Sequence, residues 1–344
     1  MVKTYEGFSS LENNFTSEML EDLFAPGEVI WKKKFGNDVS ILKPGDICDA
    51  EYLKKFWDRN AELNVLSKAS PKNISKGHQL FLSLSEVHDV SDKNSLRSEI
   101  ITWGNQLFWD DKCDCSILDL VLASYRAFYN IDKQTEANLI QSSRLLFKRS
   151  ALVGSLVTYL ATAIGYTDFK FLQDLYHTCF LLDYSIDNEQ MSSELIEALL
   201  KEQEASGEGV RTLSKDSSVE VFIQHPRASF DLALADCAGF INQPQTLRLI
   251  KSHHEKIDSS GFPKQLNSRE LSDIEALMIF VSNFVTVEHL NYTESDGAGF
   301  IKNILGENSP KMKSILSQRL IGLISKTLDN LTAGHEKYQE VVGI

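Results

Sequence analysis

Apolar residues recur at spacings of three and four along most of the chain, the period of an α-helix. The pattern is clearest after residue 130, where it predicts one helix after another and no strand. The helices are predicted over Gln134–Ile164, Phe169–Leu182, Ser192–Gln203, Gln245–His254, Glu270–Leu290 and Pro310–Tyr338. Gly165 and Thr167 suit a C-cap and the next N-cap, and Pro226 suits the first turn of a further helix.

The first 130 residues have a mixed pattern. Glu28–Trp31 and Val39–Leu42 are short apolar or alternating runs on either side of a Gly-Asn-Asp turn, which predicts a β-hairpin. Asp49–Leu66 has helical periodicity, and residues 67–98 are more polar. Helical periodicity returns near Leu96 and runs, with breaks, to Tyr129. We therefore predict an α+β fold, with a small α+β module over residues 1–130 and an all-α domain over residues 131–344.

Composition places the chain among globular proteins. It has 344 residues, of which 42% are apolar and 24% are charged. The formal charge is −13, from 35 basic against 48 acidic residues, and there is no run of Lys or Arg. Such a chain is poorly suited to binding a nucleic-acid backbone, so we expect no nucleic-acid partner.

The sequence also indicates where the protein resides. The first ten residues lack the charged and apolar regions of a signal peptide. Ser150–Tyr166, the most apolar long run, contains Ser, Gly and Thr and suits a buried helix better than a membrane span. Of the five cysteines only Cys113 and Cys115 lie close together, which favours reduced thiols. We expect a cytoplasmic protein without a membrane span.

Residues 253–263 are the part of the chain richest in groups that bind metal or move protons. This segment contains His253, His254, Glu255 and Asp258 and ends in a Gly-Phe-Pro turn. Neighbouring side chains on a helix point about 100° apart, so the two histidines face one ion only where a helix ends. The turn at Gly261–Pro263 supplies such an end.

Two further residues could complete a metal site. Asp183 follows an apolar helix, and His225 stands directly before Pro226. Imidazole nitrogens and a carboxylate are suitable ligands for iron, manganese or zinc.

These residues resemble a known signature. His253, His254, Glu255, Asp258 and Gly261–Pro263 resemble the His-His-Glu-x-x-Asp-Gly-x-Gly-Tyr-Pro motif of HD-GYP domains. His225 with its proline is similar to the His-Pro of that family, and the end of the helix at Gly165 is similar to the helix before its His-Asp motif. The resemblance covers about residues 130–320.

The resemblance implies a helical HD-type domain that uses two or three metals to hydrolyse the bacterial second messenger cyclic di-GMP. It implies a regulatory or sensory role for the N-terminal module. One metal set is complete in this chain and comprises Asp183, His225, His253 and His254. The other set reads Arg149, Leu182, Asp183 and Asn283, so three of its four family residues are replaced. Ile186 stands where the family has a substrate-binding Lys, and Ser259 and Phe262 replace a turn Gly and the motif Tyr.

The replacements affect binding less than hydrolysis. Two-metal phosphodiesterases use a bridging hydroxide and a pair of cations. Arg149 would place a fixed positive charge near one cation position and could contact a phosphate, but it generates no metal hydroxide.

The motif residues around the histidines have two interpretations each. Glu255 and Asp258 are expected to orient the histidines and fix the turn, and the alternative is a general acid. Gly261, Phe262 and Pro263 form either a packed turn or a contact surface for a partner.

Three functions follow from the resemblance. The first is a degenerate HD-GYP protein of bacterial cyclic-di-GMP signalling that binds a nucleotide or a protein partner, such as a cyclic-di-GMP synthase-type domain, with little or no hydrolysis. The second is an active cyclic-di-GMP phosphodiesterase that uses one metal, and the third is a metal-free interaction protein. The cofactor is one divalent ion of Fe, Mn or Zn, or none, and the catalytic residues stay unassigned. Apolar helices near the C-terminus make a homodimer a further expectation.

Overall fold

The structure is a computed structural model. It describes residues 12–14, 23–33, 35–59, 61–109, 116–186, 195, 196, 198, 217–236, 241, 243–292 and 315–324. The helices predicted over Ser192–Gln203 and Pro310–Tyr338 lie largely outside these ranges, as do Cys113 and Cys115.

The N-terminal sheet has four antiparallel strands in the order β1-β4-β2-β3. They are β1 Glu12–Asn14, β2 Gly27–Lys32, β3 Val39–Leu42 and β4 Glu62–Ser67. Trp31 pairs with Val39, so the predicted hairpin is confirmed. Helix α1, Ala50–Trp57, packs with the sheet in a small hydrophobic cluster that includes Val29, Leu53 and Val65.

The helix predicted over Asp49–Leu66 is wrong in its second half. Asp49 caps α1 by accepting a hydrogen bond from the Tyr52 N–H, but the helix ends at Trp57. β4 follows and pairs with both β1 and β2. Leu63 lies seven residues after Phe56, a spacing that also fits two helical turns, so the period alone could not separate helix from strand.

One helix, α2 Pro71–Glu86, occupies the polar region that the sequence left without a prediction. α3 Val90–Trp109 and α4 Ile117–Phe128 lie mostly where helical periodicity was predicted, and α3 begins a few residues before it. α2 buries only a narrow stripe of Ile74, Gly77, Phe81 and Leu84. The remaining polar positions obscure its period in the sequence.

The central helices lie where they were predicted, except that Ser143 caps two helices and so divides the single helix predicted over Gln134–Ile164. They are α5 Lys133–Ser142, α6 Arg144–Ile164 and α7 Phe169–Leu181. Gly165 caps α6 with φ +116°, as expected, whereas the N-cap of α7 is Asp168 and not Thr167. α6 is buried along most of its length and packs against α3, α4, α5 and α7.

The next elements contribute to the packing around α6 and α7. They are α8 Ser217–Asp236, a 3₁₀ helix Pro244–Leu247, α9 Arg248–Ser252, α10 Asp273–Phe284 and a 3₁₀ helix Val287–Leu290. Pro226 lies inside α8, so its predicted place in a first turn is wrong.

The α+β class is confirmed by this arrangement of a small N-terminal sheet and a helical body. One hydrophobic core extends from Phe24 to Ile324 and includes residues of the larger helices from α2 onward. α5 and α8 contribute Leu139 and Ala233 to it. The division at residue 130 stays a prediction. In the described part of the chain, no helix combines the length and the apolar character that crossing a membrane requires.

Candidate metal centre

Four side chains predicted as ligands converge in the interior. One ligand atom each from Asp183, His225, His253 and His254 lies within 4.8 Å of all the others. Asp183 follows α7, His225 belongs to α8, and the two adjacent histidines follow α9. All four are buried, so three separate elements must pack together to form the cluster.

Nε2 of His225 is the hub of the cluster. It lies 3.1 Å from Oδ1 of Asp183, 3.1 Å from Nε2 of His253 and 3.1 Å from Nε2 of His254. Nε2 of His253 is also 3.6 Å from Oδ1 of Asp183. Three imidazole nitrogens and one carboxylate oxygen therefore point at a common centre.

Two of the rings are oriented by backbone carbonyls. Nδ1 of His253 lies 2.7 Å from the carbonyl oxygen of Ile250, and Nδ1 of His225 contacts the carbonyl oxygen of Phe222. A carbonyl only accepts, so each Nδ1 carries a proton and donates it. Nε2 of both rings is then left to face the centre with its lone pair, which is the arrangement of metal-binding histidines.

Protons on the imidazole rings are poorly suited to bridge the four ligand atoms of this cluster. Burial lowers the pKa of His253 and lowers that of His254 well below its usual range. A proton on Nε2 of His225 would have three acceptors at equal distance. A single divalent cation would contact all four ligand atoms, so the residues fit one ion of iron, manganese or zinc.

Asp183 is held in its ionised form. Burial by itself raises the pKa of this carboxyl. The contacts with the His225 and His253 rings and the positive charge of Arg149 outweigh burial and hold the pKa well below its ordinary value. The carboxylate is thus available as a negatively charged ligand.

Arg149 occupies the other side of Asp183. Its guanidinium is buried and contacts Oδ2 of Asp183 at 3.4 Å. Nε donates to the carbonyl of Val285 at 3.0 Å, and the third nitrogen donates to the carbonyl and hydroxyl of Ser282. These partners tie Arg149 to the C-terminal end of α10. All three nitrogens of the Arg149 guanidinium have partners within the protein. The phosphate contact expected of this residue stays a prediction.

Leu182, Ile186 and Asn283, the three positions that differ from the resembled HD-GYP pattern, lie in apolar or helical surroundings. Leu182 is buried where α7 ends. Ile186 belongs to a small apolar cluster with Phe222 and Phe262. Asn283 donates from its amide nitrogen to the carbonyl of Ile279 at 2.8 Å, while its amide oxygen has no hydrogen-bond partner among the described residues.

Glu255 fixes the turn after the histidines. Its carboxylate is fully buried and accepts hydrogen bonds from the backbone N–H groups of Lys264 at 2.6 Å and Leu266 at 2.9 Å. Gly261 lies against the same residue, because a Cβ there would be 2.4 Å from the Cα of Glu255. The spacing of Glu and Gly in the motif thus follows from a close backbone approach.

The rest of the motif shapes the turn and covers the site. The Phe262 ring stacks on His254 with centroids 4.6 Å apart, and a cis peptide bond joins Phe262 to Pro263. Asp258 is exposed and accepts from the N–H and hydroxyl of Ser260. Ser259, which stands where the resembled HD-GYP motif has a glycine, has φ +63°, in the left-handed region that favours glycine.

A small cavity reaches Asp183 from one side. Its volume is about 20 Å³, enough for about one water molecule. Ser142, Ser143, Ser150 and Tyr184 supply its polar lining, and Ile186 lies beside them. The cavity connects the carboxylate with the turn between α5 and α6.

Several residues of the site escaped prediction from the sequence. The backbone carbonyls of Phe222, Ile250, Ser282 and Val285 hold the side chains of the centre, and a carbonyl has no sequence signature. One signal was present, since Pro226 stands four residues after Phe222 and cannot donate to its carbonyl.

No model of a protein family matches the chain, and no curated protein matches it. Among solved structures the chain is similar to Bd1817, a HDG"Y"P protein from Bdellovibrio bacteriovorus. The match covers 93% of this chain and 99% of that chain, with 15% sequence identity and a TM-score of 0.39. At this identity and TM-score, the function of the chain has to be inferred from its own residues.

Proposed function

We propose that this protein is a degenerate HD-GYP-type protein of bacterial cyclic-di-GMP signalling. It binds one divalent metal ion and, in addition, a nucleotide or a protein partner, with little or no hydrolysis. The resemblance of residues 253–263 to the HD-GYP motif suggests the class. The convergence of Asp183 with three histidines supports the single metal.

The observation that carries the loss of hydrolysis is the Arg149–Asp183 contact. Two-metal hydrolysis needs a second cation and a hydroxide held between the two. Arg149 supplies a positive charge at 3.4 Å from Asp183, which is the residue that bridges both metals in the family. A guanidinium retains the charge of a cation and produces no hydroxide.

Each residue of the proposed metal centre would have a defined role. Asp183, His225, His253 and His254 would hold the ion, which supplies Lewis-acidic charge when bound. Glu255 would keep the adjacent histidines at the start of their turn. With one carboxylate against a divalent ion and a guanidinium, the loaded centre would be positively charged and would attract an anionic group such as a phosphate.

One alternative has a specific observation in its favour. A complete ligand set is also what a phosphodiesterase using one metal would require, and the cavity beside Asp183 has room for about one water molecule. The metal-free interaction protein is the third outcome that an experiment has to separate.

Metal analysis followed by two assays tests the proposal. Purified protein is expected to hold one metal ion per chain, to bind cyclic di-GMP or a cyclic-di-GMP synthase-type domain in calorimetry, and to leave cyclic di-GMP intact with added Mn²⁺ or Fe²⁺. His253→Ala should lose the ion, whereas His88→Ala, at an exposed loop position, should keep it.

Two other results of these assays would support the alternative functions. Metal-dependent hydrolysis that His253→Ala abolishes would replace the proposal by the phosphodiesterase. Absence of both metal and nucleotide binding would leave the metal-free interaction protein.

A further inference from the structure

Pro226 lies in an unfavourable place. It stands inside α8, which runs from Ser217 to Asp236. A proline inside a helix removes one backbone hydrogen bond and costs about 3 kcal/mol relative to alanine. A compensating role for Pro226 would therefore have to lie beyond the helix itself.

The hydrogen bond that Pro226 removes is a particular one. In an α-helix the N–H of residue 226 would donate to the carbonyl of Phe222, four residues earlier. Proline has no N–H, and the Phe222 carbonyl accepts a hydrogen bond from Nδ1 of His225 instead. The ring of His225 thus uses an acceptor that its neighbour leaves available.

This bond determines which nitrogen of His225 faces the candidate metal centre. With the proton on Nδ1, the lone pair of Nε2 points to Asp183, His253 and His254, each at 3.1 Å. We propose that Pro226 is a positioning residue of the metal centre: by withholding an N–H from Phe222, it fixes the tautomer and the ring orientation of His225. The inference rests on the proposed metal centre.

His253 shows the same geometry reached in another way. Its Nδ1 donates to the carbonyl of Ile250, three residues earlier, as His225 donates to Phe222. Ile250 lies in the last turn of α9, where carbonyls have no partner within the helix. Pro226 therefore leaves a backbone carbonyl available to His225 inside a helix, as the end of α9 does for His253.

The variant Pro226→Ala separates this role from a structural one. Alanine restores an N–H that competes for the Phe222 carbonyl. We expect Zn²⁺ and Mn²⁺ to bind 10-fold or more weakly, roughly the loss seen when a hydrogen-bond partner of a metal ligand is removed. The metal-free variant should be as stable as the original protein or more stable. If Pro226 were merely structural, its replacement would weaken metal binding only together with a loss of stability.

Pro71→Ala is the matched control, since Pro71 opens α2, a helix that contributes none of the four residues of the centre. Its metal affinity should stay unchanged in competition with a chromogenic chelator. Pro226→Ala with unchanged affinity would overturn the inference.

A second measurement keeps the two proposals distinguishable. If the original protein binds no metal, the single-metal function fails, and the tautomer still tests the role of Pro226. Nitrogen NMR should show the proton of His225 on Nδ1 in the original protein and a shift toward Nε2 in Pro226→Ala. The same tautomer in both proteins would contradict the role of Pro226.

Discussion

The guanidinium of Arg149 contacts Oδ2 of Asp183 at 3.4 Å in the protein interior. The other oxygen of the same carboxylate, Oδ1, lies 3.1 Å from Nε2 of His225. Asp183 thus joins a fixed positive charge on α6 to the histidine cluster of α8 and α9. Because Arg149 and Asp183 are both buried, water cannot replace either charged group as a partner of the other, and loss of one would leave an uncompensated buried charge.

Replacement of Arg149 is expected to be strongly destabilising. Arg149→Ala leaves the Asp183 charge without its guanidinium and removes the donors to Ser282 and Val285. The free energy of unfolding should fall by about 3–5 kcal/mol in urea denaturation. Arg149→Lys should lose somewhat less, since an ammonium keeps the charge and lacks the planar set of donors.

Arg144→Ala is the control for the loss of an arginine on the same helix. Its ion pair with Asp49 is exposed, so its removal should cost less than about 1 kcal/mol. Equal losses for the two alanine variants would show that the buried pair contributes no more than a surface pair.

The convergence of Asp183 with the three histidines was the part of the site that the sequence predicted best. His253 and His254 were recognisable because a dense motif places them beside a turn, and Asp183 and His225 because each stands at a matching position. The contacts of Arg149 could not be predicted in the same way. They join residues 133 and 136 positions apart, and only the packing of α6 against α10 brings them together.

The fold was predictable where one period dominated. α6 and α7 are buried along most of their lengths, so their apolar runs were long. The sequence did not predict α2, because the buried stripe of this helix is narrow. It did not predict β4, because a strand of six residues is too short to contradict a helical spacing. The predicted position of Pro226 was wrong because it rested on the general preference of proline for the first turn of a helix. That preference does not consider that the His225 ring can donate to the Phe222 carbonyl in place of the missing N–H.

The carboxylate of Glu255 should be important for the stability of the motif turn. Glu255→Gln leaves one amide oxygen to accept where two carboxylate oxygens accepted from Lys264 and Leu266. We expect the free energy of unfolding to fall by about 2 kcal/mol, since a buried N–H loses a charged acceptor. Urea denaturation measures the loss, and metal affinity should decline with it.

Asp258→Asn provides the comparison within the same motif. Asp258 is exposed, its carboxylate accepts from Ser260 in the described part of the chain, and asparagine forms the same turn. Its effect should be within about 0.5 kcal/mol. A larger effect at Asp258 than at Glu255 would contradict the assignment of the turn to Glu255.

Gly261 should tolerate no side chain. In Gly261→Ala the new Cβ would meet backbone atoms of Glu255 and Lys256 at 2.4 Å, and backbone cannot rotate away as a side chain can. We expect a loss of about 3 kcal/mol or more in the free energy of unfolding. Gly322→Ala is the control, because a Cβ there meets nothing within 4 Å and the residue lies in the helical stretch 318–324. That variant should be stabilised by up to about 1 kcal/mol, and similar losses at both positions would rule out the close approach as the cause.

Asp119 should make stability depend on pH. This residue of α4 is buried and accepts hydrogen bonds from the backbone N–H groups of Ser70 and Ser116 and from the Asn73 side chain. Burial raises the pKa of its carboxyl from 3.8 to about 7, and the three donors only partly oppose that shift. The folded protein therefore retains a proton over a pH range in which the unfolded chain has released it.

The sign of the effect follows from proton binding. Below pH 4 both states hold the proton, and above pH 7 neither does. Between these values the free energy of unfolding should fall as the pH rises, by at most about 4 kcal/mol from this group. Urea denaturation at each pH unit from 4 to 8 gives the dependence, and the difference between the original protein and Asp119→Asn isolates it. Asp132→Asn is the control, because the pKa of the exposed Asp132 is lowered and its contribution changes only at more acidic pH. A difference curve for Asp119→Asn as flat as that for Asp132→Asn would show that Asp119 is ionised in the folded protein throughout this range.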